Sequence, residues 1–226
     1  MNRTKIEWAD FTWNPITGCT RGCTYCYARR MAYRLRGRYG YPQDDPFAVT
    51  FHEDRLHEPS QRMKPAKIFT CSMGEMFDPK AEWMWIQRIF TVMRLTPHHT
   101  FQVLTKQIQN VLDRDWNIPN NCWLGISVDG KYTDDSMFHY LLNIKAKVKF
   151  VSFEPLLGQI PDLDPNLTDI DWVIIGAQTG PGAVPPEKEW VEDIIREARI
   201  EDVPVFLKDN LYWHEQVREW PRGAAR

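Results

Sequence analysis

The sequence predicts an α/β fold: a partial, open, parallel TIM-like barrel of about six to seven βα units. Three observations lead there. Short, near-continuously apolar runs recur along the chain, rich in Val, Ile, Phe and Trp, as parallel strands covered on both faces require. Longer stretches with helical spacing of apolar residues alternate with them. No internal repeat or low-complexity tract interrupts the alternation. A length of 226 residues suits a single domain spanning 1–226.

Taken in order, the first strand lies near Phe11–Ile16 and leads into a cysteine-bearing loop. Tyr27–Leu35 reads as a helix with Gly37 near its end. Gly40–Lys64 breaks the rhythm and reads as an insertion at 40–64, with a short strand at Ala48–Phe51 and a helix around Arg55–Met63. Lys67–Cys71, Thr100–Thr105, Cys122–Val128, Lys147–Phe153, Asp171–Gly176 and Val203–Leu207 are the remaining apolar runs. Between them, Glu82–Leu95 places Trp85, Ile86, Ile89, Phe90 and Met93 on one helical face. Tyr132–Ile144 does the same with Met137, Phe138, Leu141 and Leu142. Glu187–Arg199 does so with Trp190, Val191, Ile194, Ile195 and Ala198, and Pro185-Pro186 before it suits a helix start. Gln107–Asp115 reads as a short helix.

In a parallel α/β barrel, ligands bind at the carboxyl ends of the strands. Each run here ends in polar or ionisable residues: Ser72-Met73-Gly74-Glu75, Thr105-Lys106, Ser127-Val128-Asp129, Ser152-Phe153-Glu154, Gln178-Thr179-Gly180 and Lys208-Asp209-Asn210. One polar strand end is what any surface turn looks like; the whole set describes a ligand-filled mouth. Glu154, Lys208, Asp209 and Asn210 are candidates for substrate contact or proton transfer. A mouth-facing Glu154 can serve as a general base, or it can be a helix cap or a satisfied ion pair.

Net charge is −2, hydrophobic residues make up 43% and aromatics 13%, so neither disorder nor a generic nucleic-acid coat is indicated. No apolar run approaches a membrane span and no signal peptide is visible. Reduced cysteines point to a reducing, cytoplasmic compartment. The charge is unevenly spread. From Tyr27 to Tyr41 five arginines (Arg29, Arg30, Arg34, Arg36, Arg38) interleave with tyrosines and no acid, and the C-terminal end is basic again at Arg218, Arg222 and Arg226. Such a segment suits a phosphate-bearing substrate, a nucleotide or nucleic acid; it also suits the solvated face of a helix.

The most specific signal is Cys19-Thr20-Arg21-Gly22-Cys23-Thr24-Tyr25-Cys26, a C-x3-C-x2-C spacing. Three thiolates on one loop can hold three irons of a 4Fe-4S cube and leave the fourth open to a small molecule. Three cysteines also suit zinc with a histidine, but the nearest is His52 and no second C-x2-C pair follows. Cys71 and Cys122 are single and distant. The odd count argues against a disulfide framework, and two cysteines are too few for a second cluster.

This loop resembles that of the radical S-adenosylmethionine (SAM) enzymes. The chain as a whole is similar to a bacteriophage-associated family, the phage three-Cys-motif proteins. The segments that carry this are Ile6-Glu7-Trp8, Thr12-Trp13-Asn14-Pro15, the cysteine loop with Tyr27-Ala28, Val103-Leu104-Thr105-Lys106, Trp123-Leu124-Gly125-Ile126-Ser127, Phe153-Glu154-Pro155-Leu156-Leu157-Gly158, Asp171-Trp172-Val173-Ile174-Ile175-Gly176, Gly180-Pro181-Gly182-Ala183 and Phe206-Leu207-Lys208. The resemblance implies a radical SAM partial barrel with a 4Fe-4S cluster on Cys19, Cys23 and Cys26, and SAM at the open iron. Reductive cleavage to a 5′-deoxyadenosyl radical would use electrons from a donor such as flavodoxin or ferredoxin. Met73-Gly74-Glu75 stands where the family has a Gly-Gly-Glu-like motif for the methionyl amine, with Met73 replacing the first glycine. Tyr25 fills the aromatic position near the adenine. Position alone suggests Ser127 and Asp129 for the ribose or carboxylate, Gly176 and Gln178 for the adenine, and Lys106 for the SAM carboxylate. A surface lysine and a tight turn are the plain alternatives for Lys106 and Gly176. The resemblance names no substrate. The competing class is a binding or structural metalloprotein, with zinc or an iron–sulfur cluster, that performs no radical chemistry.

Overall fold

The computed structural model describes residues 1–112, 114, 116–161, 163 and 167–222. The main sheet has eight strands in the order β1-β2-β5-β6-β7-β8-β9-β10. These are β1 (Asn2–Arg3), β2 (Phe11–Trp13), β5 (Lys67–Thr70), β6 (Thr100–Thr105), β7 (Cys122–Ser127), β8 (Val148–Phe153), β9 (Trp172–Ile175) and β10 (Val205–Leu207). β3 (Ile16–Thr17) and β4 (Thr50–Phe51) form a separate antiparallel pair. The helices are α1 (Tyr27–Arg34), α2 (Trp83–Leu95), α3 (Gln109–Leu112), α4 (Ser136–Leu142) and α5 (Lys188–Ile200). The expected α/β fold with a mostly parallel sheet is the one observed. The chain packs as two compact units, Met1–Trp123 and Leu124–Arg226.

In the first unit β2, β5 and β6 run parallel, with Trp13 opposite Thr70 and Thr70 opposite Val103, so their carboxyl ends are in register. β1 adds an antiparallel edge that the sequence did not suggest. Ile86, Ile89, Phe90 and Met93 of α2 are buried with Trp13, Ile68, Phe101 and Val103, all at 3% exposure or less. Trp85, on the rim of that stripe, instead stacks on Phe51 at 5.3 Å. The insertion contributes β4 but no α-helix. Around Arg55–Met63 there are two 3-10 turns, Glu53–Arg55 and Pro59–Gln61. Pro59 has no N–H to return to the Arg55 carbonyl, so an i→i−4 ladder cannot run through it. That carbonyl accepts from Glu58 N–H at 3.2 Å and from Trp13 Nε1 at 2.8 Å.

In the second unit β8 and β10 both pair parallel with β9. Trp172 is fully buried and stacks on Trp220 at 5.0 Å, with Phe206 edge-on at 5.9 Å. α4 starts four residues later than the periodicity from Tyr132 suggests. Asp129 and Asp134 claim the intervening N–H groups in side-chain turns, which compete with a helical ladder. α3 is shorter than Gln107–Asp115; Asp113 and Asp115 lie outside the described residues, as does Arg226. No helix among the described residues is long and apolar enough to cross a membrane.

Candidate metal and cofactor site

The cysteine loop leaves β3 at Gly18 and enters α1 at Cys26. Cys26 is the N-cap of α1, its Sγ accepting from Arg29 N–H at 3.4 Å where serine or aspartate usually stands. Cys19 Sγ accepts from Arg21 N–H at 3.4 Å and faces Gln107 Nε2 at 3.8 Å. Cys19 and Cys26 pack against one apolar cluster made by Ala28, Ala32, Tyr41 and Phe47. All three loop thiols are free and half-buried, whereas Cys71 and Cys122 are free and fully enclosed. Burial pushes the Cys19 thiol up to about 12, with Glu75 and Asp78 adding to the shift against the Arg21 N–H. Cys71 and Cys122 are pushed up to about 12 by burial as well.

Among the described residues, no three His, Cys, Asp or Glu side chains are gathered as a metal-holding group. The donor chemistry of the loop nonetheless fits an iron–sulfur cluster. Three accessible free thiols lie within eight residues, and two already accept amide N–H groups, the bonds that tune cluster sulfurs. Cys71 and Cys122 are too enclosed to join them.

The loop is tied to the end of β5. Gly18 N–H donates to Met73 O and Glu75 N–H donates to Gly18 O, both at 3.0 Å. A Cβ on Gly74 would come within 2.8 Å of Gly18 O and of the Thr17 backbone, so only glycine allows this approach. Met73 stands where the family pattern has a glycine and packs its side chain on the apolar cluster beside Cys19 and Cys26. Its N–H donates to Asn14 Oδ1 at 2.9 Å, and Ser72 Oγ donates there too.

Two buried carboxylates complete the support. Asp78 accepts from Thr20 N–H (2.7 Å), Thr20 Oγ1 (2.8 Å), Gln107 Nε2 (3.1 Å) and Lys80 N–H (3.0 Å). Glu75 accepts from Thr105 Oγ1 (2.7 Å), Phe77 N–H (3.1 Å) and Lys106 N–H (3.1 Å). Burial raises the Glu75 carboxyl above its usual range, against those three donors. Lys106 places its ammonium 5.7 Å from the centre of the Tyr25 ring, and its carbonyl accepts from Arg21. Asp78, Gln107, Thr20 and Asn14 escaped the sequence reading. Asn14 was legible only as part of Trp13-Asn14-Pro15, and Asp78 only as an acid three residues beyond Glu75.

The second unit carries its own polar cluster at the ends of its strands. Of the readings open for Glu154, the geometry is the ion pair: Lys208 Nζ donates to Glu154 Oε1. The pair closes over Gly176, where a Cβ would meet Lys208 Cδ at 2.9 Å and Glu154 Cγ at 3.1 Å. Ser127 Oγ donates to the Glu154 carbonyl at 3.0 Å. Asn210 grips Ala177 at both ends, accepting from its N–H (3.1 Å) and donating to its carbonyl (2.9 Å). Asp129 is fully buried and caps its own loop, accepting from the N–H groups of Lys131, Tyr132 and Thr133. Asp209 pairs with Arg218 at the exposed edge, and Gln178 is half-buried.

The fold is shared with solved structures of two mutants of spore photoproduct lyase, a radical SAM partial barrel. The first is 11% identical, with a TM-score of 0.58, over 91% of this chain and 78% of that one. The second is 9% identical, with a TM-score of 0.56, over the same shares. At these identities the likeness is one of fold. No curated protein sequence matches the chain. Residues 3–224 match the family described as "Protein of unknown function (DUF5131)". The match spans nearly the whole sequence, and the chain belongs to the DUF5131 family.

Proposed function

We propose that this chain is a radical SAM enzyme of the phage three-Cys-motif kind. Cys19, Cys23 and Cys26 hold one 4Fe-4S cluster, SAM binds beside it, and hydrogen is abstracted from an unidentified substrate, for which a nucleotide or nucleic acid is one candidate, in the cytoplasm of a bacterium or phage-infected host. The observation that carries the reading is the pairing of three free thiols on one loop with the Met73 carbonyl and Glu75 N–H, which bond Gly18 at the start of that loop. The shared fold supports it. Held by Cys19, Cys23 and Cys26, such a cluster would supply single-electron chemistry, the reductive cleavage of SAM to methionine and a 5′-deoxyadenosyl radical with electrons from a donor of the flavodoxin or ferredoxin class.

The residues of the chain bind and orient. A carboxylate offers about four lone-pair sites. Glu75 uses three on Phe77, Thr105 and Lys106, which leaves Oε2 able to accept one N–H from the methionyl amine. Lys106 takes the SAM carboxylate by charge. Tyr25 offers a ring face to the adenine. Glu154 and Lys208, an ion pair at the strand ends of the second unit, contact the substrate, with Glu154 as the candidate general base, and Asp209 follows Lys208 in sequence.

The test is anaerobic purification with iron and sulfide reconstitution, followed by SAM and dithionite. Brown protein with a broad band near ~400 nm and release of 5′-deoxyadenosine is the expected result. Colourless protein with stoichiometric zinc and no 5′-deoxyadenosine would establish the structural-metal alternative instead.

A further inference from the structure

We propose that the exposed face of α1 and the loop after it form a binding strip for single-stranded nucleic acid. Ala28 and Ala32 turn inward, which leaves Tyr27, Arg30, Met31, Tyr33 and Arg34 on the outer face. Arg36, Arg38 and Tyr39 extend it, with Tyr39 74% exposed. Arg30 and Arg34 are four apart and share one side of the helix.

The decisive feature is what these arginines lack. Among the described residues, Arg30, Arg34, Arg36 and Arg38 have no ion pair. Five arginines elsewhere on the surface do have carboxylate partners: Arg88 sits on Glu53, Arg196 on Asp193, Arg199 on Glu219, Arg218 on Asp209 and Arg222 on Asp202. In a chain of net charge −2, a stretch with five arginines and no acid between Tyr27 and Tyr41 is a local field rather than a general property. Its own contacts organise it without discharging it. Arg38 Nη2 donates to the Arg34 carbonyl at 2.6 Å, and the Arg36 guanidinium lies 5.4 Å over the Tyr33 ring.

Guanidinium groups at this spacing match phosphate oxygens. Half-exposed tyrosine rings add faces on which unpaired bases stack, and duplex bases cannot reach them. That combination selects a single strand over a duplex. The strip begins at the residue after Cys26, so a bound strand runs past the cysteine loop. It thereby names the substrate class of the radical SAM reading. It rests on that reading for the reaction and not for the binding.

The test is fluorescence anisotropy of the full chain, with and without reconstituted cluster. The probes are single-stranded DNA and RNA of mixed sequence about 20 nucleotides long, a duplex of equal length, and anionic phospholipid vesicles. Single strands should bind at low salt, with log K falling linearly against log salt by about 0.7 per phosphate contact. The double variant Arg30→Ala with Arg34→Ala should flatten that slope by about 1.4. Tyr33→Ala with Tyr39→Ala should weaken binding by about thirtyfold or more at every salt concentration and leave the slope unchanged. These side chains are exposed, so thermal melting should match wild type. Absence of single-strand binding at low salt overturns the proposal, as does equal binding of duplex or vesicles, or a slope the arginine variants leave untouched. Strand binding by protein that forms no 5′-deoxyadenosine would remove the reaction and keep the strip. 5′-Deoxyadenosine formation without strand binding would do the reverse.

Discussion

Replacing Asp78 by alanine should loosen the cysteine loop more than removing any residue of the loop other than a ligand. The carboxylate is 3% exposed and receives four donors, two of them from Thr20. Thr20 is exposed and Lys80 N–H lies at the surface, so their three donors can turn to water, each losing roughly 0.5–1 kcal/mol. Gln107 is buried, and stranding its amide costs a further 1–3 kcal/mol or so. Against this, the Asp78 charge, which adds to burial in raising the Glu75 carboxyl, disappears. The net is about 3 kcal/mol, which lowers the melting temperature of a chain this long by roughly 6–12 °C. Thr20→Ala removes only the hydroxyl bond and should cost about 1 kcal/mol or less, because its N–H still reaches Asp78. The assay pairs a thermal melt of metal-free protein with the rate at which a chelator strips iron from reconstituted protein. Asp78→Ala should melt lower and lose iron several-fold faster. A melt within about 1 °C of wild type with an unchanged stripping rate would refute the anchoring role.

Cys19→Ala, Cys23→Ala or Cys26→Ala should each abolish bound iron, since two thiolates cannot hold the cube, while Cys71→Ala and Cys122→Ala keep it; iron and sulfide analysis after reconstitution decides. Glu75→Ala should weaken SAM by about ten- to hundred-fold in calorimetry, the worth of one charge-assisted hydrogen bond, with iron content largely kept. Burial, and then the charge of Arg55, hold His52 down to about 4, while Asp54 opposes them. A base whose folded pKa lies below its unfolded value near 6.5 is bound by more protons in the unfolded chain, so stability is full above about 6.5 and falls towards pH 4, by at most about 1.4 kcal/mol per pH unit. His52→Gln should flatten that part of a stability-versus-pH curve, and a curve unchanged by the substitution would contradict it.

Strands and amphipathic helices were legible because burial writes period and composition directly into the chain. Thr100–Thr105 matches β6, and the inward stripe Ile86, Ile89, Phe90, Met93 is buried as its spacing requires. Side-chain capture of the backbone was not legible. Asp129 delays α4, and Pro59 cuts the insertion into 3-10 turns; both are local choices that an apolar pattern averages over. The cysteine loop was legible as a spacing. Its supports were not, because Thr20, Asp78 and Gln107 meet across gaps of 58 and 29 residues that no periodicity links.

Hydrogen-bond capacity sorts the polar strand ends of the second unit. Asn210 spends its carbonyl and one N–H on Ala177, so it shapes the backbone around Gly176 rather than offering itself to a ligand. Asp129 spends one oxygen on three backbone N–H groups and holds the turn before α4. Asp209 is drawn outward by Arg218. Glu154 and Lys208 differ in kind. They neutralise each other while half-buried. A phosphate or a transferred proton arriving at either would leave the other's charge uncompensated in a partly desolvated place, which makes the pair responsive where the others are structural. Gly176 beneath it leaves room for that closeness, because a Cβ there would meet both side chains. Under the proposed function, substrate contact in this unit therefore belongs to Glu154 and Lys208, and the remaining strand-end residues hold the loops that present them.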